Sequence, residues 1–361
     1  MLIHIVPGAS MGGLQRYSLD ICRHYAREGQ EVVALTRDAK AVDRCFDTDG
    51  IRLVHAPLRD YPDFFSSLTL GSLLRTAPKA TVIHAHRYRD ALTAIAARRL
   101  ARRPDVRIVT TRHKAAPGKD NMLRRLIYRN IDAQIFVSEF ARQQFLSTWQ
   151  RGRLPFDSRR LHVAANSRLE PPGRVAEPER GAMTMMTHGI IRPGKGLETL
   201  LEALAIAARS VKLRLRIAGT GNPDYIDTLR QRAERLGVMQ QIDWTLKDPD
   251  PALLTGSCHF GVQPTEMPEA FGMSNMEYMM AGRPQVTTAS GAQREYLTPE
   301  VEALFVEPGD KEGLAAAMIR LASDAELRHR MGEAAARRYD RELAWPIFIG
   351  KIEEIYYKFE G

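Results

Sequence analysis

The chain has 361 residues, a net charge of +9, 44% hydrophobic and 7% aromatic residues. That length suits two domains, and that apolar content excludes a disordered chain. No apolar run reaches the roughly 18 residues needed to cross a bilayer. The start, Met1 to Gly8, reads as a strand and not as a basic, cleavable leader. Cys22, Cys45 and Cys258 lie too far apart for a disulfide framework or a metal knuckle, so a reducing cytoplasm is the expected compartment.

In chain order, apolar runs predict strands at Leu2–Val6, Glu31–Leu35, Arg52–His55, Thr81–Ala85, Arg107–Thr110, Gln134–Val137 and Arg160–Ala164. Helical patterns such as Leu14–Arg27 and Ala91–Arg102 fall between most of them. Such alternation implies a parallel, doubly wound α/β sheet. Residues Glu170 to Pro178 are rich in Pro and Gly and read as part of a hinge over 169–182. The alternation then restarts with strands at Met183–Thr187, Leu213–Ala218, Gln241–Trp244, Cys258–Val262, Gln285–Thr288 and Ala303–Val306. Helices are expected at Leu197–Arg209, at Tyr225–Leu236, near Gly272 and twice before the end. Two Rossmann-like domains are therefore expected, over 1–168 and 183–344, facing across a cleft at the carboxyl ends of their strands. The amphipathic segment 345–361, with Ile349, Ile352, Ile355 and Tyr356 on one side, is expected to pack back on the first domain.

Charge divides unevenly. Residues 1–170 hold 29 Lys and Arg against 16 Asp and Glu; residues 171–361 hold 23 against 27. A basic front half suits an anionic partner. Its clusters are Arg98, Arg99, Arg102 and Arg103; Arg124, Arg125 and Arg129; and Arg151, Arg153, Arg159 and Arg160. Around the middle cluster stand Met122, Leu123, Leu126 and Ile127 at helical spacing. That mixture reads either as a peripheral contact with an anionic membrane surface or as an ordinary solvated helix face. Nucleic acid is not expected, because the aromatic content is low and no base-reading motif accompanies the clusters.

The most informative stretch is Glu269-Ala-Phe-Gly272-Met273-Ser274-Asn-Met-Glu277, followed by Ala281-Gly-Arg-Pro284. It follows an apolar strand and places Glu269 on a loop, with Glu277 facing inward on the helix behind it. A glutamate pair at this spacing is by itself usually a solvated face; the Phe-Gly step and the preceding buried strand argue for function. The first-turn amides of Gly272, Met273 and Ser274 are natural donors to phosphate. One carboxylate can accept from sugar hydroxyls and the other from a ribose. These parts describe a nucleotide-sugar site.

On those residues, and over nearly the whole length, the chain resembles the retaining GT-B glycosyltransferases of family four. The Gly12-Gly13-Leu14-Gln15 loop is similar to the family's glycine loop, and its wording to that of phosphatidylinositol mannosyltransferases. His84-Ala-His86, His113, Gly194-Lys195-Gly196 and Gly219-Thr-Gly221 fall at further family motifs. Two positions depart from the pattern. Ile190 stands where the family usually has a diphosphate-binding arginine, with Arg192 two residues on. Asn166-Ser167 replaces Asn-Gly.

The resemblance implies a hexosyltransferase that takes a nucleotide-diphosphate sugar and an acceptor hydroxyl on a lipid-linked or envelope glycan, with retention at the anomeric carbon. Residues 1–168 would be the acceptor side and 183–344 the donor side. Lys195, Arg192 and the amides at Gly272–Ser274 would meet the diphosphate. Glu269 would fix the sugar, and Glu277 the ribose. His113 would meet a sugar hydroxyl or line the reacting face. Gly12, Gly13 and Gly219 would let backbone approach the donor, and Gln15 would lie on the acceptor side. Gly12-Gly13 as a tight turn and Gln15 as a first-turn residue are the plainer readings.

No metal or other cofactor is expected. Gly189 to Lys195 imitates a phosphate-binding loop, but Gly196 removes the hydroxyl that would hold magnesium. Asp248-Pro-Asp250 imitates a metal-binding pair and reads better as turn chemistry. His84 and His86 read as strand-end packing, because no third ligand lies near them in sequence. A sugar-nucleotide 2-epimerase and a non-catalytic sugar-nucleotide binder remain the alternatives. The expected location is cytoplasmic, on the inner face of the plasma membrane.

Overall fold

Continuous apolar runs without a solvent face belong in sheets covered on both sides, and the chain builds two of them. The computed structural model describes residues 1–8, 11–59, 63–149, 154, 156–170, 173–174, 183–246 and 251–358. The chain divides into two units, residues 1–169 with 345–361, and residues 170–344. Most of the expected hinge, together with Arg151, Arg153, Asp248 and Asp250, lies outside the described residues.

Unit 1 runs β1 (Leu2–Val6), α1 (Gly13–Arg27), β2 (Val32–Thr36), α2 (Lys40–Phe46), β3 (Arg52–His55), α3 (Phe64–Thr76), β4 (Val82–Ala85), α4 (Tyr88–Leu100), β5 (Arg107–Arg112), α5 (Met122–Asn130), β6 (Ala133–Phe136), α6 (Glu139–Leu146) and β7 (Leu161–Val163). The strands form one parallel sheet ordered β3-β2-β1-β4-β5-β6-β7. Side chains alternate across it. Ile3, Ile5, Val33, Leu35, Ile83 and Ile108 pack with α3, α4 and α5 on one face. Leu2, Val6, Val32, Val82 and Val109 face the other way, toward α1 and α2. Side chains capping helix starts mark several boundaries: Asp63 for α3, Asn121 for α5 and Ser138 for α6.

Unit 2 runs β8 (Met183–His188), α7 (Leu197–Ala207), β9 (Leu213–Ala218), α8 (Pro223–Arg235), β10 (Ile242–Thr245), β11 (Phe260–Gln263), α9 (Met273–Met280), β12 (Gln285–Thr288), α10 (Gln293–Tyr296), β13 (Ala303–Val306), α11 (Lys311–Ser323) and α12 (Ala325–Glu342). Its parallel sheet is ordered β10-β9-β8-β11-β12-β13. The core is built on Met185, Leu200, Leu204, Leu215, Phe260, Val286 and Met318.

Helix α13 (Trp345–Glu353) and the π-helical turn after it (Glu354–Lys358) belong to unit 1, where Phe348 and Ile352 from the first and Tyr356 from the second join the cluster on the α1 face of the sheet. Five strands, Leu2–Val6, Arg52–His55, Leu213–Ala218, Gln285–Thr288 and Ala303–Val306, have the expected boundaries, and the rest differ by one or two residues at an end.

Candidate functional site

In unit 2 the chain leaves β8 toward β9 and leaves β11 toward β12, so the loops after β8 and β11 diverge. A switch point of this kind opens a crevice at the carboxyl end of a parallel sheet. The loop after β8 carries Ile190, Arg192 and Lys195, and the loop after β11 carries Thr265 and Glu269. Two backbone bonds tie these loops together: the Glu266 and Met267 amides donate to the Gly194 carbonyl at 3.1 and 3.3 Å. Across the same junction the Lys195 ammonium is ion-paired with a Glu269 carboxylate oxygen, the two side chains being 26% and 22% exposed. The remaining exposure leaves the pair open to exchange partners. The Thr265 hydroxyl lies 3.5 Å from the same oxygen of Glu269. The Ala292 amide holds the Glu269 carbonyl at 3.0 Å and so fixes the loop from the β12 side.

Helix α9 starts behind Glu269 at Gly272, which has φ +92°. Any other residue would strain there, and a Cβ would lie 2.8 Å from the Tyr296 hydroxyl. That hydroxyl bonds to the Phe271 and Gly272 carbonyls and sets the direction of the helix. The Asn275 and Met276 amides return to the Gly272 carbonyl. The amides of Gly272, Met273 and Ser274 precede any intrahelical acceptor and have no partner among the described residues. The Ser274 hydroxyl is committed, donating to the His188 carbonyl at 2.9 Å.

Glu277 lies one turn deeper and is 7% exposed. One of its oxygens meets His188 Nε2 at 2.7 Å. His188 Nδ1 meets the Tyr278 hydroxyl at 2.9 Å, and that hydroxyl donates to the Met186 carbonyl at 2.6 Å. The tyrosine proton being used, Nδ1 donates to that hydroxyl, and Nε2 faces the carboxylate in a buried pair. His188 thus already holds and orients the Glu277 carboxylate. His188 was missed because it ends a strand and belongs to no glycine loop. Its only signal is a polar residue just before Gly189.

The other donor-side residues divide. Gly219, at φ +135°, is required by the protein itself, because a Cβ there would sit 1.9 Å from the Gly189 carbonyl oxygen. Arg192 is exposed, and none of the described residues pairs with it. Ile190, at the position of the family's arginine, is 54% exposed.

In unit 1 the switch point lies between β1 and β4. Gly12 caps α1, and Gly13 begins it with nothing within 4 Å of where its Cβ would be. Among the described residues, nothing therefore demands glycine at 13. The Gln15 side-chain amide donates to the Pro7 carbonyl and closes the turn after β1.

The same edge carries a histidine cluster that sequence spacing did not reveal. His4 and His84 are register partners on β1 and β4, and the pleat turns both toward the α13 face. His84 Nε2 meets the Thr111 hydroxyl at 2.7 Å, and Nδ1 meets the Tyr356 hydroxyl. Tyr356 also lies 3.3 Å from His4 Nε2. His86 meets His4 at 3.4 Å, the Ser18 hydroxyl at 2.8 Å and His113 Nε2 at 3.1 Å.

Burial drives His4 down to about 3 and His113 to about 4, and holds His84 and His86 well below the usual histidine range. All four rings are therefore neutral at pH 7. The view that His84 and His86 lack a third nearby nitrogen is corrected by the structure, since His4, His84 and His86 present ring nitrogens within 4.8 Å of one another. Both nitrogens of His84 already meet hydroxyls, so the cluster is satisfied as a hydrogen-bonded network. Through it the last helix is linked to His113.

Comparison with known proteins agrees with this architecture. The family described as Glycosyl transferases group 1 matches residues 177–338, and Glycosyltransferase Family 4 matches residues 11–166. A phosphatidyl-myo-inositol mannosyltransferase of Mycobacterium leprae is 28% identical over 63% of the chain, a match that spans only 60% of that relative's length. A D-inositol 3-phosphate glycosyltransferase of Xylanimonas cellulosilytica is 25% identical over 97% of the chain and 93% of its own length. Among solved structures, a glycosyltransferase from Rickettsia africae superposes with a TM-score of 0.82 at 18% identity, covering 99% of this chain and 97% of its own. Anabaena HepE in complex with UDP and glucose gives 0.82 at 16% identity, covering 99% of each chain. The chain belongs to the group 1, family four glycosyltransferases, and its two parallel-sheet units are those of the GT-B fold.

Proposed function

We propose that the protein transfers a hexose from a nucleotide-diphosphate sugar to a hydroxyl of a lipid-linked or envelope glycan, with retention and without a metal. The observation that carries this reading is the Lys195–Glu269 ion pair at the β8/β11 crevice, in front of the unpaired amides of α9. Without donor, the two charges satisfy each other. On donor binding, the ammonium turns to the diphosphate, where it and the amides of Gly272, Met273 and Ser274 stabilise the charge that grows as the bond to C1 breaks. The released carboxylate accepts from sugar hydroxyls. Arg192 supplies a further cation in place of the residue lost at Ile190. Glu277, held by His188, takes the ribose.

His113, neutral at working pH, is assigned to a sugar hydroxyl or to the reacting face. Gly12 and Gly13 allow close backbone approach, and Gln15 holds their loop on the acceptor side. The acceptor's proton passes to the leaving diphosphate oxygen. Anabaena HepE, of the same fold, binds UDP and glucose, and the mycobacterial relative is named for a lipid acceptor. Both support the substrate classes proposed. A cytoplasmic site at the inner membrane face follows from such an acceptor.

The test is a thermal-shift screen of uridine, guanosine and adenosine diphosphates and their sugars. A true donor at 100 times its Kd adds about 2.7 kcal/mol of stability by mass action, and turnover of that donor must disappear in Glu269→Ala. No shift with any of them sinks the reading. A shift without turnover favours a sugar-nucleotide binder, and an epimerised sugar formed without acceptor favours the isomerase.

A further inference from the structure

The histidine network of unit 1 has a direction, and a serine sets it. Ser18, on α1, has one hydroxyl hydrogen, and that hydrogen is spent: the hydroxyl donates to the Leu14 carbonyl one turn back at 3.1 Å. Toward His86 Nε2, 2.8 Å away, Ser18 can then only accept. His86 therefore carries its hydrogen on Nε2. Burial, the neighbouring rings and Arg87 keep that ring neutral, so Nδ1 is left with a lone pair. Nδ1 faces His113 Nε2 at 3.1 Å, and His113 must be the donor. Burial keeps His113 neutral as well. Its single ring hydrogen is thus on Nε2, turned toward His86, and its Nδ1 is bare.

A second branch runs in the same sense. The Nε2 hydrogen of His86 is shared with His4 Nδ1 at 3.4 Å. His4 Nε2 then donates to the Tyr356 hydroxyl at 3.3 Å, that hydroxyl donates to His84 Nδ1, and His84 Nε2 donates to the Thr111 hydroxyl at 2.7 Å. From His86 onward each ring gives one hydrogen and accepts one, and no two hydrogens meet. His113 stands at the open end, where it gives a hydrogen and receives none. Its ring is only partly buried. The Tyr17 ring holds it edge-on, with centroids 5.0 Å apart and planes at 82°. Among the described residues no group meets His113 Nδ1.

We propose that Ser18 fixes the tautomer of His113, hydrogen on Nε2 and lone pair on Nδ1, and that unit 1 recognises a substrate alcohol by accepting its hydrogen there. An anionic oxygen has no hydrogen to give and would meet the lone pair unfavourably, so this position refuses a phosphate and takes a hydroxyl. Because burial holds its basicity down, the ring takes a hydrogen bond and not the proton itself. Ser18 is a positioning residue, since it acts through His86. The inference rests on the transferase reading for the source of the hydroxyl, donor sugar or acceptor; the tautomer follows from this chain alone.

The experiment is nitrogen-15 NMR of the full chain, labelled at histidine and free of donor, near pH 7. His113, identified by the signals lost in His113→Phe, should show an unprotonated Nδ1 and a protonated Nε2. In Ser18→Ala the hydroxyl that dictates the direction is gone and the chain can run either way. Both His113 signals should then move to positions between those of bare and protonated nitrogen. A circular dichroism melt like that of the wild type shows that the variant is folded. A variant that fails to fold leaves the decision to the wild-type spectrum, in which His86 must also carry its hydrogen on Nε2. Binding then locates the alcohol. His113→Phe should weaken one interaction by about three- to ten-fold, the worth of a neutral hydrogen bond. The donor Kd rises if the hydroxyl belongs to the sugar, and the acceptor KM rises if it belongs to the acceptor.

The proposal is overturned by a hydrogen on Nδ1 in the wild type, by a His113 spectrum that a folded Ser18→Ala leaves unchanged, or by a His113→Phe variant that alters neither constant. Thermal shifts with nucleotide sugars separate the two readings. A protonated Nδ1 in a chain that such a sugar stabilises defeats this proposal alone. A bare Nδ1 in a chain that none of them stabilises supports the tautomer and sinks the transferase.

Discussion

The two units share a parallel sheet, a switch point and loops gathered at strand carboxyl ends, yet they place opposite chemistries there. Unit 2 gathers charge: the half-exposed Lys195–Glu269 pair, the buried His188–Glu277 pair and the unpaired amides of α9. Unit 1 gathers neutral rings and hydroxyls: His4, His84, His86, His113, Thr111 and Tyr356, with every imidazole pushed toward its neutral form by burial. The contrast is the basis of the division of labour we propose, in which one unit answers a diphosphate and the other answers hydroxyls. The fold supplies the edge; a few strand-end residues decide what the edge can bind.

The largest expected effect breaks the charged side. Lys195→Ala and Glu269→Ala should each lower kcat for donor turnover on the order of 10² to 10³ fold, the size found when a preorganised charge partner is removed. The double variant should lose much less than the product of the two, because the residues act as one unit. Simple multiplication in steady-state kinetics would disprove the coupling.

His188→Ala tests the buried pair. It leaves Glu277 without its partner in a site that is almost dry, and chemical denaturation should register a loss of about 3 kcal/mol. His188→Ala combined with Glu277→Leu should recover a good part of that stability.

On the neutral side, pH is the probe. The folded-state pKa values of the four histidines lie below the unfolded value of 6.5, with His4 at about 3 and His113 at about 4. The unfolded chain then binds more protons below pH 6.5, so their contribution to stability is complete above 6.5 and is lost as pH falls toward 4. Asp20 and Asp90, raised by burial, pull the other way at the acid end. The melting midpoint should drop by roughly 10 °C or more between pH 7.5 and 5.5, since each such histidine loses about 1.4 kcal/mol one pH unit below its unfolded pKa and 1 kcal/mol shifts a unit of this size by roughly 2–4 °C. Replacing His4 and His84 by Gln should flatten that slope.

Two smaller effects sharpen the contrast. Tyr356→Phe removes the hydroxyl that joins His84 to His4 and should cost about 1–2 kcal/mol. If the network positions His113, kcat should fall with it while the donor Kd stays unchanged. Ile190→Arg restores a cation at an exposed position and should tighten nucleotide-diphosphate binding by about three- to ten-fold, measured by calorimetry. No change would mean that Arg192 already serves that place.

Local pattern carried a large part of this molecule. Period and punctuation are properties of neighbours in the chain, so the alternating strands and helices, the two sheets and the Glu269 to Glu277 block were legible from the residues alone. Gly272 could be placed because only glycine tolerates its φ of +92°. Contacts between distant segments were not legible. Strand register, which no local pattern encodes here, set His4 beside His84. The pairing of His188 with Glu277 spans 89 residues, and that of Tyr356 with His84 spans 272. Exposure was likewise decided in three dimensions: of four apolar residues on α5 that looked alike in sequence, Ile127 went into the core and Met122, Leu123 and Leu126 stayed outside. Sequence determines which chemistries a segment can offer, whereas only the packed sheets decide which of them meet, because meeting depends on register and burial set by the whole chain.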